Sequence, residues 1–285
     1  MENWFPGAES VRVRKGNTFW ADGDPFSQIA ADPQIKGLFA FNGDDGNRLI
    51  SAANYGLYVY DENGTVQTQA GQYDITILQG SFAGQQINVS GGAYFFLTNE
   101  SRTIRRYSTG NGWDNPIGGD SPAITGADAG ALYVAPVLFK ERLFFLRADS
   151  LQVDYLPVDS IGGALGTLDA RSVFRKGGAL LIGGSVSADS GSGLDDRFFI
   201  LTNNGELAVY EGANPGDADN FGLVGLYRMP RPKGPRAWMR SGGDVLIATD
   251  EGLVSVIQAM QSDVGVLSLS AVSRPIEPDW QRAAE

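Results

Sequence analysis

The chain has 285 residues, 42% of them hydrophobic, a formal net charge of −11, and neither cysteine nor histidine. That length and apolar content support one large β domain or two ordinary domains with a sizeable core. The missing cysteine excludes disulfides, thiolate metal sites and cysteine nucleophiles, and the missing histidine excludes Ser-His-Asp and Cys-His catalysis within the chain.

The first 36 residues read as an extended N-terminal arm that includes a first outer strand. The start, Met1-Glu-Asn-Trp-Phe-Pro6, has neither the basic nor the apolar region of a secretory leader. No apolar run approaches the ~18 residues of a membrane span. The expectation is therefore synthesis in a cytoplasm without membrane insertion. Arg12-Val-Arg-Lys15 alternates as an edge strand does. Its charges either guard that edge or pair it with a neighbouring subunit.

From residue 37 to 272 one phrase returns five times, starting at Arg48, Tyr94, Arg142, Arg197 and Asp244, with steps of 46, 48, 55 and 47 residues. Each copy has an apolar run, such as Leu143 to Leu146, then a short polar turn such as Asn203-Asn-Gly205, then a more alternating run such as Leu207 to Tyr210. That is hairpin grammar, and the continuous apolar run fits a strand near the hub, buried on both faces. Flanking strands are expected at Gly37–Phe41, Gln85–Val89, Leu132–Leu138, Ala179–Gly183 and Pro235–Met239, and outer ones at Thr65–Thr68, Leu223–Met229 and Val266–Val272. A period of about 40–50 residues with four strands per unit is the mark of a β-propeller. The fold class expected is therefore all-β, a propeller of about five to seven four-stranded blades. Segments 65–92 and 156–185 are long enough to hold further strands. Residues 273–285 form a short C-terminal tail in which Asp279 is a candidate helix N-cap.

The candidate chemistry is sparse. Asp189, Asp195 and Asp196 are the best acidic cluster, but they do not follow a calcium-loop pattern and read as solvated turn residues. Asp159 and Asp169 are a conceivable carboxylate pair of the kind glycosidases use. Ser108-Thr-Gly-Asn-Gly-Trp113 comes near a sialidase-type box but lacks its Asp and occurs once. No catalytic, cofactor-binding or metal-binding residue is assigned, and the chain is not expected to be an enzyme. One basic cluster stands out: Arg228, Arg231, Lys233, Arg236 and Arg240, interleaved with Pro230, Pro232 and Pro235. Prolines stiffen such a stretch, which suits it to dock an acidic partner.

The opening Glu2-Asn-Trp-Phe-Pro-Gly-Ala-Glu-Ser-Val-Arg-Val-Arg-Lys-Gly16 resembles the start of a family of tailed-phage virion proteins. The likeness continues through Tyr155-Leu-Pro-Val-Asp-Ser-Ile-Gly-Gly163, Val173-Phe-Arg-Lys-Gly-Gly178, Gly242-Gly-Asp-Val-Leu-Ile-Ala-Thr-Asp-Glu-Gly-Leu253 and Pro275-Ile-Glu-Pro-Asp-Trp280. The chain is similar to the propeller-bearing tail nozzle and packaged-DNA-stabilisation proteins of short-tailed phages. That resemblance implies a virion protein forming a ring, commonly of six copies, that meets portal, adaptor and other tail proteins. Viral DNA would pass transiently through its lumen. The assembly residues expected are Trp4, Phe5, Arg12 and Arg14 in the arm, and Arg231, Lys233 and Arg236 in the proline-rich loop. The alternative expectation is a propeller that binds or cleaves carbohydrate at a host surface.

Overall fold

In the computed structural model the chain is a five-bladed β-propeller. The structure describes residues 4–6, 11–13, 35–53, 56–69, 81–100, 102–126, 128, 131–189, 194–217, 219–262, 264–269, 271–273 and 282. Strands β1 (Trp4–Pro6) and β2 (Val11–Val13) pair antiparallel as a sheet of their own. The first blade is β3 (Ile35–Gly43), β4 (Gly46–Ala53), β5 (Gly56–Tyr60) and β6 (Val66–Gln69). The second is β7 (Phe82–Val89), β8 (Gly92–Asn99), β9 (Arg102–Ser108) and β10 (Gly112–Asp114).

After the second blade, β11 (Ile124–Thr125) leads to the third, built from β12 (Tyr133–Phe139), β13 (Arg142–Arg147) and β14 (Gln152–Tyr155). Its outer strand is β16 (Gly166–Asp169), reached through β15 (Gly163–Ala164), which pairs parallel with β11. The fourth blade is β17 (Leu180–Asp189), β18 (Leu194–Thr202), β19 (Glu206–Gly212) and β20 (Phe221–Arg228). The fifth has three strands, β21 (Trp238–Ser241), β22 (Asp244–Thr249) and β23 (Gly252–Ser255). All neighbours within the blades run antiparallel, so each blade is a meander.

The returning phrase occupies the second and third strands of each blade, one position out from the hub. The second strand is sandwiched between two blades, and its alternate side chains feed two cores. Leu143 and Phe145 of β13 face the second blade, while Phe144 and Leu146 face the fourth. On β18, Phe198 and Ile200 face the third blade, and Phe199 and Leu201 face the fifth. Burial on both faces is why these strands read as unbroken apolar runs. Inner strands come close enough to their neighbours to need glycine. A Cβ at Gly84 would sit 2.2 Å from the Phe95 ring and 3.1 Å from Phe39 of the first blade, and one at Gly183 would meet Leu146 of the third blade at 2.9 Å.

One expected strand is corrected. Residues assigned to the outer strand Val266–Val272 instead form a short helix, α2 (Val264–Leu269), that follows α1 (Val256–Ala259). Ser255 caps α1 by accepting from the Gln258 backbone, and Leu267 is buried with Val256 and Ala259 against the fifth blade. The outer edge of β23 is covered by the chain that comes next. Val272 N–H donates to the Leu253 carbonyl at 2.9 Å, and the Ser273 hydroxyl accepts from Leu253 N–H at 3.0 Å. Among the described residues no helix is long and apolar enough to cross a membrane.

Candidate assembly surface

Meander topology sorts the connections by face. Turns joining first to second and third to fourth strands emerge on one face of the disc. Second-to-third turns and the links between blades emerge on the other. Hydrogen bonds agree with this: between blades Asp44 accepts from Ala93 N–H and Ser187 N–H donates to Gly243, and within the third blade Asp159 N–H donates to Glu141. The first face carries Asp44, Asp45, Glu62, Glu141, Asp159 and Asp219, all exposed. Arg48 on that face is tied to Asp45 at 2.9 Å. The opposite face carries the loop cations Arg171, Arg175, Lys176, Arg231, Lys233 and Arg236. That face also carries the exposed carboxylates Asp128, Asp149, Asp169, Asp250 and Glu251, so carboxylates predominate on the first face and the second mixes both signs.

The proline-rich loop is a fixed structure. Its backbone is bonded to the end of β22: Lys233 N–H to the Ala248 carbonyl at 3.0 Å, Asp250 N–H to the Arg231 carbonyl at 3.0 Å, and Ala248 N–H to the Ala237 carbonyl at 2.7 Å. Pro232 bridges Thr249. Lys233 makes an ion pair with Asp250 at 3.0 Å. Arg236 reaches the first blade and donates to the Lys36 carbonyl. Arg231 is exposed, with no carboxylate partner among the described residues. The three loop residues singled out from sequence thus lie together where the last blade meets the first.

The arm residues are different. Phe5 stands opposite Arg12 in the β1–β2 register, with Trp4 opposite Val13. The side chains of Trp4, Phe5 and Arg12, and the whole of Arg14, lie outside the described residues, as do the expected tail helix at Asp279 and the side chains of Asp189 and Asp195.

The five junctions between blades differ. Four are filled by large apolar clusters, one each between blades one and two, two and three, three and four, and four and five. At the fifth, Tyr58 and Tyr60 are buried on the outer part of the first blade, but the inner part is bare. Register places Leu38 beside Ser51, on the face turned away from the second blade, and Met239 beside Leu246, on the face turned away from the fourth. Leu38 is 57% exposed, Met239 55% and Ile35 46%.

The strongest buried polar groups are structural. Asp154 is fully buried and accepts from Tyr133 at 2.8 Å, Thr167 at 2.7 Å and Arg147 at 2.7 and 2.9 Å. Burial first, then the Asp154 charge, pushes the Tyr133 hydroxyl above the usual phenol range, so it remains a donor. Arg106 is buried against Asp114 and also donates to the carbonyls of Pro122 at 2.7 Å and Ile161 at 2.8 Å. It thereby ties the second blade to the chain around the third. Burial holds Asp114 above the usual carboxylate range in spite of Arg106.

The residues weighed for sugar chemistry are not assembled. Asp159 lies on the acidic face, whereas Asp169 pairs with Gln152 at the opposite end of the blade and is held down to about 2 by Arg171. Ser108 and Trp113 flank an ordinary hairpin turn, and Trp113 packs on Tyr107 at 5.3 Å. Asp196 accepts from the Ser187 hydroxyl. Sequence reasoning missed Glu100. This carboxyl, on the second-to-third turn of blade two, is raised by burial and then by Asp149, and lowered by Arg236. No local pattern signals it, because Asp149 comes from the third blade and Arg236 from the loop before the fifth.

No protein-family model and no curated protein matches the chain. Solved structures with a similar course include BBS1N in complex with ARL6DN (12% identity, 77% of this chain and 64% of that one, TM-score 0.48). Chaetomium thermophilum Raptor follows at 11% identity over 79% and 19%, TM-score 0.45. PorZ, a surface component of the type-IX secretion system of Porphyromonas gingivalis, gives 13% over 81% and 28%, TM-score 0.44. This chain spans less than two thirds of each of those chains, and none of the three is a phage protein.

Proposed function

We propose that this protein is a non-catalytic building block of a tailed-phage particle. It forms a ring in the tail nozzle or head-to-tail channel that conducts the genome and holds it back until infection. The sequence resemblance motivates this reading. The observation that carries it is a stiff disc with one face dense in exposed carboxylates and a backbone-pinned cationic loop on the other. Carboxylates turned toward the duplex repel phosphates and leave DNA free to slide. The cationic loop is held rigid, which lowers the ordering entropy of an assembly contact. Portal, adaptor and other tail proteins are the partners above and below, and the location is the virion.

Electron microscopy of the purified protein tests this. The expected particle is a closed ring, six-fold in the simplest case, with a pore wide enough for a duplex, and no retention of DNA in a gel-shift assay. A protein that stays monomeric at all concentrations, or that binds arrayed glycans, overturns the proposal.

A further inference from the structure

We propose that the open inner seam between the fifth and first blades receives the acidic, tryptophan-bearing segment Pro275–Trp280 of a second copy of this chain. The inference rests on the ring reading for the identity of its partner.

The seam is the one junction among the described residues without a large core cluster. Leu38 and Ile35 on β3 and Met239 on β21 face it and stay about half exposed. Isolated exposed aliphatics are ordinary, but these three stand on the two facing sides of one gap. Cations rim that gap: Arg231 and Arg236 belong to the loop pinned to β22, and the Arg236 guanidinium crosses to the Lys36 carbonyl. Lys233 is already neutralised by Asp250. An occupant should therefore be extended, apolar along its length, and negative where it passes Arg231 and Arg236.

Pro275-Ile-Glu-Pro-Asp-Trp280 has that chemistry: two carboxylates, Ile276 and Trp280 as apolar anchors, and two prolines that favour an extended backbone. It follows Ser273, whose hydroxyl is fixed to β23, the outermost strand of the fifth blade. Ser273 is thus held at the rim of the disc, where a laterally adjacent subunit would stand. A segment-into-seam contact is head-to-tail, and such contacts form rings where the rotation between copies closes.

The test uses a fluorescently labelled peptide of residues 273–285 and the full chain carrying Trp280→Ala, which weakens competition from its own segment. Saturable binding is expected, falling as salt rises. Met239→Glu or the double variant Arg231→Glu/Arg236→Glu, each checked for an unchanged circular dichroism spectrum, should weaken it by about tenfold or more. A peptide with Glu277→Arg and Asp279→Arg should bind the double variant better than the native peptide does. No saturable binding, or binding indifferent to both variants, overturns the inference. Rings without peptide binding overturn this inference and leave the ring reading standing. Peptide binding by a protein that never forms rings overturns the second copy as occupant together with the ring reading.

Discussion

Arg236 donates to the carbonyl of Lys36, 200 residues earlier in the chain, and so ties the last blade to the first. The other four junctions are held by buried apolar clusters, so this bond works at the weakest point of the ring. Arg236→Ala should loosen the seam, lowering stability by about 1 kcal/mol. Hydrogen exchange should accelerate in β3 and β21 ahead of β13. Uniform acceleration across all five blades would show that the seam is not the weak point.

Glu100 senses the same guanidinium. Burial and Asp149 raise its folded pKa above the unfolded value. Its ionised form therefore costs stability at neutral pH, and that cost fades as pH falls through the folded pKa to the unfolded one. Glu100→Gln should stabilise the protein at pH 7 and leave it unchanged near about pH 3.5, below the ordinary Glu pKa. Arg236→Ala should move the Glu100 midpoint further up, and Asp149→Asn should bring it down. Denaturation at the two pH values and an NMR titration decide this; equal stabilisation at both pH values contradicts the assignment.

Position around the ring should grade the cost of core truncation. Phe145 is fully buried between the second and third blades, packed on Phe96 and Tyr133, and Phe145→Ala should cost about 3–5 kcal/mol. Leu49 holds a comparable place on β4, but its side chain faces the seam and is only partly buried. Leu49→Ala should cost less than half as much. Urea denaturation of the pair checks the contrast, and equal losses would mean that the seam is as well packed as the interior junctions.

The Asp154 network should fail asymmetrically. Removing the carboxylate takes the buried ion-pair partner from Arg147, leaving it only the exposed Asp128, and orphans the Tyr133 and Thr167 hydroxyls, so Asp154→Ala should cost about 3–5 kcal/mol. Tyr133→Phe removes one of four donors and should cost about 1–2 kcal/mol. Comparable losses from both changes, measured by chemical denaturation, would argue against a carboxylate held by several donors at once.

Deleting residues 1–16 should leave the propeller folded, with an unchanged circular dichroism spectrum and melting transition, and should abolish ring assembly. Rings of the truncated protein in negative stain would remove the arm from the assembly mechanism.

Much of the fold is legible before any coordinates. Antiparallel hairpins are local, so the turn at Asn203-Asn-Gly205 and the apolar run before it mark their strands directly, and the near-constant step between copies marks the blades. The unequal fifth junction also leaves a trace. The middle copies read Leu-Phe-Phe-Leu at Leu143–Leu146, whereas the seam-facing positions of the first copy are Leu49, Ser51 and Ala53. That trace cannot be read until it is known which alternate side chain faces which neighbour. The expected strand over Val266–Val272 fails for a related reason: a short run of Val and Leu suits strand and helix alike, and only the pocket that takes Leu267 beside Val256 selects the helix.

Sequence alone determined the repeating sheet unit and the lack of histidine or cysteine chemistry, because both depend on residue identity and on pairing between chain neighbours. Tertiary structure decided which loops share a face, that Arg231, Lys233 and Arg236 gather where the ring ends meet, and that Leu38 and Met239 stay uncovered. Those outcomes depend on how the blades curve around the axis and bring residues two hundred positions apart to one seam, a geometry that no local pattern encodes.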